Sequence, residues 1–122
     1  MHDFIAGELR IDVFEAEPPA PARLFWSGRS VSPDPDRLLQ PFYESVLASA
    51  ERTKSTVEMH FERLGHFSSS TVATLIRLIQ EARKRGIKLV LVYKDSQRTQ
   101  RLSFDALRIF VKDDGLLELR AR

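Results

Sequence analysis

Leu9, Ile11 and Val13 alternate with Arg10 and Asp12. A period of two predicts a strand with one face buried. The run Glu17-Pro18-Pro19-Ala20-Pro21 ends it, because proline lacks the ladder donor. A second strand is expected at residues 23–27, with Leu24 and Trp26 on one face and an antiparallel partner in the first. Residues 28–36 read as a turn-rich loop. Asp34-Pro35-Asp36 then starts a helix, with Asp34 as cap and Pro35 in the first position. Leu38, Leu39, Phe42, Val46, Leu47 and Ala50 keep helical spacing to about residue 52. Pro41 predicts either a kink or a regular helix that begins near it.

Residues 56–64 alternate again. Val57, Met59 and Phe61 point one way, and Glu58, His60 and Glu62 point to a wetter side. The clearest helix is residues 70–85, with Val72, Leu75, Ile76, Ile79 and Ala82 as its apolar stripe and Gly86 as its stop. Residues 87–93 form the most apolar strand. Residues 97–110 predict a helix with Leu102, Ala106, Leu107 and Phe110 inward, and Gly115 precedes a short strand at 116–119. Strand, helix, strand with a crossover of this length implies parallel strands and a right-handed connection. The expected fold is a single α/β domain spanning residues 1–122, a mixed β-sheet with helices mainly on one face.

Composition narrows the chemistry. The 122 residues include 19 Lys and Arg, 17 Asp and Glu, and no cysteine. Disulfides, thiol catalysis and cysteine-bound metals are excluded. A net charge of +2 is weak support for a nucleic-acid or membrane partner, and neither is expected. No apolar stretch approaches the roughly 20 residues of a membrane span, and the start has no signal-peptide pattern, so a cytoplasmic location is expected. His2, His60 and His66 lack metal-ligand spacing, and no glycine-rich phosphate loop is present, so no metal or cofactor is expected. The basic residues Arg77, Arg83, Lys84, Arg85, Lys88, Lys94, Arg98 and Arg101 read as a solvated surface.

The densest chemistry is His66-Phe67-Ser68-Ser69-Ser70-Thr71, where a strand end meets a helix start. A helix N-terminus has unpaired N–H groups and partial positive charge. One serine there suffices as a cap, and the others are then exposed loop residues. A phosphoacceptor is the other reading, since a phosphate adds about −1.5 to −2 charges without opposing the helix. Ser69, His66 and Asp95 could be imagined as a catalytic triad, but no nucleophile-elbow pattern supports it, and no catalytic residue is assigned.

The stretch from Leu64 through Ser68-Ser69-Ser70-Thr71-Val72-Ala73, the helix to Gly86, and Ile87-Lys88-Leu89-Val90-Leu91-Val92 resemble the STAS domain of bacterial anti-sigma factor antagonists. That family carries Asp-Ser-Ser-Gly-Leu-Gly here. The resemblance places Ser68 at the Asp, Ser69 at the phosphorylated Ser, and Thr71 and Ala73 at the two glycines. SiaC-type partner-switch proteins, with Asn-Thr-Ser-Ser, are more similar and also put the acceptor at Ser69. Their likeness takes in Gly28-Arg29-Ser30-Val31-Ser32-Pro33 and Tyr93-Lys94-Asp95-Ser96-Gln97-Arg98. Residues 1–21 lie outside it. The resemblance implies a non-enzymatic switch with a GHKL-type serine/threonine kinase and a PP2C-type phosphatase as partners. The target implied is an anti-sigma factor or a diguanylate cyclase, bound in the unphosphorylated state. It implies phosphorylation at Ser69, with Ser68 and Ser70 as alternatives, and partner contacts at His66, Phe67, Ser68, Ser70, Thr71 and Thr74. A constitutive interaction domain without a phosphoswitch is the alternative function.

Overall fold

Six strands lie side by side in chain order in a computed structural model of the chain. The structure describes residues 3–17 and 20–122, with Phe67 described by its backbone alone, so Pro18 and Pro19 of the proline-rich connection, and His2, lie outside it. The elements are β1 (Phe4–Ala6), β2 (Leu9–Phe14), β3 (Ala22–Ser30), α1 (Pro35–Thr53), β4 (Val57–Phe67), α2 (Ser69–Lys84), β5 (Leu89–Tyr93), α3 (Arg98–Leu107) and β6 (Leu117–Ala121). A 3₁₀ turn at Arg108–Phe110 follows α3. β1, β2 and β3 are antiparallel, whereas β3 to β6 are all parallel.

Strands that advance in one direction through right-handed crossovers place every crossover helix on the same face. The core has that composition. Leu39, Val46 and Leu47 of α1, Leu75, Leu78 and Ile79 of α2, and Phe104 and Leu107 of α3 join one buried cluster with Leu24, Trp26, Met59, Phe61 and Leu91. The mixed sheet with helices on one face agrees with the sequence reading. Local signals hold as well. Asp34 Oδ1 accepts from the Arg37 amide at 3.3 Å, and Pro35 opens α1. Gly86, at φ +71°, ends α2 in a Schellman turn, with Ile87 N donating to the Ala82 carbonyl at 2.9 Å.

Several expectations are corrected. A strand at Phe4–Ala6 precedes the first one read from the sequence. β3 continues through Gly28 to Ser30, where a loop was expected. α1 starts at Pro35 and contains Pro41, so the regular helix does not begin near Pro41. Leu38 is exposed, and Tyr43 takes an interior place instead, its hydroxyl donating to Asp36 at 3.1 Å. Leu102 and Ala106 face outward, because Phe104 is stacked on Tyr93 at 4.8 Å and that aromatic burial sets the rotation of α3. Glu58 and His60, expected on a wet face, are only 8% and 7% exposed. They cover each other: His60 Nε2 lies 2.6 Å from Glu58 Oε1, its Nδ1 lies 3.1 Å from Glu62, and Phe25 stacks on its ring at 4.5 Å.

β4 does not match β3 residue for residue. Ala22 faces Val57 and Ser30 faces Phe67, so eight steps along β3 span ten along β4. The two extra residues enter as register shifts between Phe25 and Ser27 and between Gly28 and Arg29. Such bulges bend and twist a strand. At the second shift Gly28 sits at φ +83°, and a Cβ there would meet the Glu8 carbonyl oxygen at 1.9 Å. That carbonyl accepts from Arg29 N at 3.1 Å.

Two predictions follow from this packing. Gly28→Ala forces both a left-handed alanine and a backbone clash, so urea denaturation should show a loss on the order of 3 kcal/mol. Gly86→Ala, with nothing within 4 Å of its Cβ, should lose about 1 kcal/mol. Equal losses would refute the close approach at Gly28. Burial, and then the hydrogen bond to Asp36, push the Tyr43 hydroxyl up to about 12 from 10.0. An acid with a raised folded pKa stabilises the fold below its unfolded value and loses that contribution as pH rises. Melting temperature should therefore fall between about pH 10 and pH 12 more steeply in the parent than in Tyr43→Phe. Parallel curves for the two would remove Tyr43 from the alkaline transition.

Candidate functional site

The second shift delivers the end of β4 to the start of α2. The β4–β5 ladder ends at His60, and Gln100 of α3 serves β4 carbonyls beyond it. Its Nε2 donates to the Phe61 and Leu64 carbonyls at 2.6 and 2.9 Å, while its Oε1 accepts from Lys94 N at 2.8 Å. Gln100 is 1% exposed, so all three bonds are made away from water, where leaving a polar group unpaired is costly. Beyond the bulge, Ser68 N donates to the Ser30 carbonyl at 3.2 Å and ties the junction to β3.

The four hydroxyls then separate by position. Ser68 is the N-cap, with φ −76° and ψ 168°, and its Oγ accepts from Thr71 N at 3.3 Å. Thr71, in the third helical position, is fully buried, and its Oγ1 lies 2.8 Å from Ser30 Oγ. Ser69 and Ser70, in the first two helical positions, are exposed. Among the described residues no side-chain hydrogen bond engages either one. Four adjacent hydroxyls in the sequence do not by themselves assign the cap. Position relative to the first turn does, because only the residue before the helix can turn its oxygen back to the third amide.

Of the residues expected to contact a partner, His66 and Ser70 are exposed and Ser68 is half-buried. The side chain of Phe67 lies outside the described residues. Thr71 and Thr74 face the interior, at 0% and 2% exposure, and present no side-chain surface. The Thr74 hydroxyl has no hydrogen-bond partner. Ser30 and Gln100 were not singled out by the sequence. Neither a serine in an expected loop nor a glutamine in an amphipathic helix carries a signal that would have singled it out.

The first turn of α2 contains no acidic residue. Its amide dipoles therefore meet no carboxylate from that turn, and an added anion at Ser69 is favoured by about 0.3–1 kcal/mol. Arg29 faces His66 across the β3–β4 ladder. Four of the eight residues of the expected basic surface are ion-paired: Arg77 with Asp36 at 3.8 Å, Arg83 with Asp114 at 2.7 Å, Arg85 with Glu44 at 2.7 Å, and Lys88 with Glu118 at 3.9 Å. Hydrogen bonding from Arg83 holds the Asp114 carboxyl below its ordinary range. No hydrogen bond among the described residues joins Ser69, His66 and Asp95 into a catalytic relay. No group of three or more His, Asp or Glu among them could hold a metal ion, and no helix is long and apolar enough to cross a membrane.

This strand–cap–helix junction lies inside the region matched by a family model, the STAS domain, over residues 40–110. The chain belongs to the STAS domain family. The match takes in most of α1, then β4, α2, β5 and α3, and β1 to β3 precede it. STAS domains are generally non-enzymatic regulatory domains, which gives this chain a regulatory role. No protein of curated function matches the chain.

The separation of roles is measurable without any partner. Ser68→Ala removes the cap and should lower unfolding free energy by about 0.5–2 kcal/mol. Ser69→Ala, on an exposed side chain, should stay within about 0.5 kcal/mol of the parent. Chemical denaturation of the two variants checks this, and a Ser69→Ala loss as large as that of Ser68→Ala would make Ser69 part of the cap.

Proposed function

We propose that this STAS domain is the switch protein of a partner-switching signalling system. It binds its target when Ser69 is unmodified and releases it when Ser69 is phosphorylated. The observation that supports this reading most is the division of labour at the α2 N-terminus. Ser68 makes the cap and Thr71 makes the buried bond to Ser30, so neither hydroxyl can be modified without breaking a contact. Ser69 is exposed in the first helical position, so a phosphate there leaves every one of those bonds intact. The acid-free first turn accepts its charge.

A surface that docks a partner over a neutral hydroxyl behaves differently. Adding about −1.5 to −2 charges places a strongly hydrated group inside the interface, and the complex dissociates while the domain stays folded. Ser70, one position further on and also exposed, is the local alternative acceptor. His66 and Arg29 border the same surface. A GHKL-type kinase and a PP2C-type phosphatase would set the state of Ser69. The likeness of residues 28–33 and 93–98 to SiaC-type proteins favours a diguanylate cyclase as target over an anti-sigma factor.

The test is a pull-down from the native host with Ser69→Ala and Ser69→Asp baits, read by mass spectrometry, with melting curves of both baits. Recovery of a kinase or signalling enzyme by the Ala form, reduced at least tenfold with the Asp form at equal thermal stability, is the expected result. Equal recovery by both baits would reduce Ser69 to an exposed helix residue and leave a constitutive interaction domain.

A further inference from the structure

Three of the large exposed apolar side chains sit together on α3 and the turn after it: Leu102 at 55%, Ile109 at 76% and Val111 at 43%. Leu102, Ala106 and Ile109 follow the spacing i, i+4, i+7, which aligns them along one helical face. That face is opposite the one held by Gln100, Phe104 and Leu107, so α3 is apolar on two sides and buried on one. At its N-terminal end Leu102 borders a groove of about 260 Å³, closed by Leu64, Gly65 and His66 of β4 and by Thr99.

The charge around this face is unbalanced. Residues 94–112 contain five cations, Lys94, Arg98, Arg101, Arg108 and Lys112, against two carboxylates, Asp95 and Asp105. Asp105 is already engaged by Arg108 at 3.0 Å, and Arg108 also donates to the Tyr93 hydroxyl at 2.6 Å. Arg98 and Arg101 are exposed and make no ion pair among the described residues. Exposed leucine and isoleucine at helical spacing, beside two free guanidinium groups, fit a helix with the same apolar spacing and acidic flanks.

We infer that the outer face of α3, with the groove between Leu102 and the end of β4, is a docking surface for an acidic amphipathic helix of a partner protein. One apolar side chain of that helix enters the groove, the next lie over Ala106 and Ile109, and its carboxylates meet Arg98 and Arg101. An anionic membrane would use the same cations, but a flat lipid surface has no element to fill the groove that Gly65 helps to line. The inference stands on α3 and holds whatever the state of Ser69.

Its test uses fluorescence anisotropy with the whole chain and two labelled 18-residue amphipathic helices. Both have leucine at i, i+4 and i+7, and one carries glutamate and the other lysine at the flanking positions. The glutamate helix should bind, and the lysine helix should bind at least tenfold more weakly. Leu102→Glu, and the pair Arg98→Glu with Arg101→Glu, should each weaken the glutamate helix at least tenfold. All three positions are exposed, so melting curves should match the parent and separate lost docking from lost folding. Equal binding of both helices, or parent-like binding by the variants, would overturn the inference. So would sedimentation of the parent with phosphatidylglycerol vesicles together with no binding of the glutamate helix.

Discussion

The mismatch between β3 and β4 is the constraint on which the rest depends. Two neighbouring strands of unequal length can stay paired only if the longer one bulges. Here ten steps must fit against eight. Gly28 permits it on one side by letting the backbone approach Glu8. On the other side Gln100 donates to the Phe61 and Leu64 carbonyls, past the last β4–β5 pair. The result is that β4 stays in the core through Phe61 and Leu64 and still arrives beside Ser30 in the position needed to cap α2. Fold and site are therefore one construction. A chain that lost the bulge would rotate Leu64 out of the core and move Ser68 away from its helix.

This construction also couples α3 to the α2 N-terminus. Phe104 stacks on Tyr93 and touches Phe61, and Gln100 holds the Phe61 and Leu64 carbonyls. α3 is thus anchored to the same segment of β4 that ends at the serine cluster. The groove beside Leu102 is lined by Leu64, Gly65 and His66, and β4 runs on from there through Phe67 to the cap before Ser69.

Legibility in the sequence followed the length of the pattern. The helix over residues 70–85 was recognisable because its apolar stripe, Val72 to Ala82, persists for about three turns and the helix ends at a glycine. β5 was recognisable because all five of its residues are apolar or aromatic and buried. The bulges left only one trace, the three-residue gap between the inward Phe61 and the inward Leu64, which breaks strict alternation. On α3, Leu107 and Phe110 pack inward as expected while Leu102 and Ala106 do not, because the helix carries two apolar arcs. One contains Leu102, Ala106 and Ile109, and the other contains Phe104 and Leu107, and periodicity alone does not rank them. Aromatic stacking on Tyr93 does, and that contact joins elements that are separate in the chain.

The serine cluster was legible as a place and not as a set of roles. Four adjacent hydroxyls look equivalent in a sequence. Folding makes them unequal through the geometry of the first helical turn, which aims one oxygen back at an amide, turns two outward and carries one into the core. Ser30 completes the arrangement from a strand that was expected to be a loop. A helix start built in this way needs only Ser68 and Thr71 for its stability. Ser69 is left without a structural task, and an exposed hydroxyl with no structural task, at the positive end of a helix free of first-turn carboxylates, is where a charge can be added and removed while the domain remains folded.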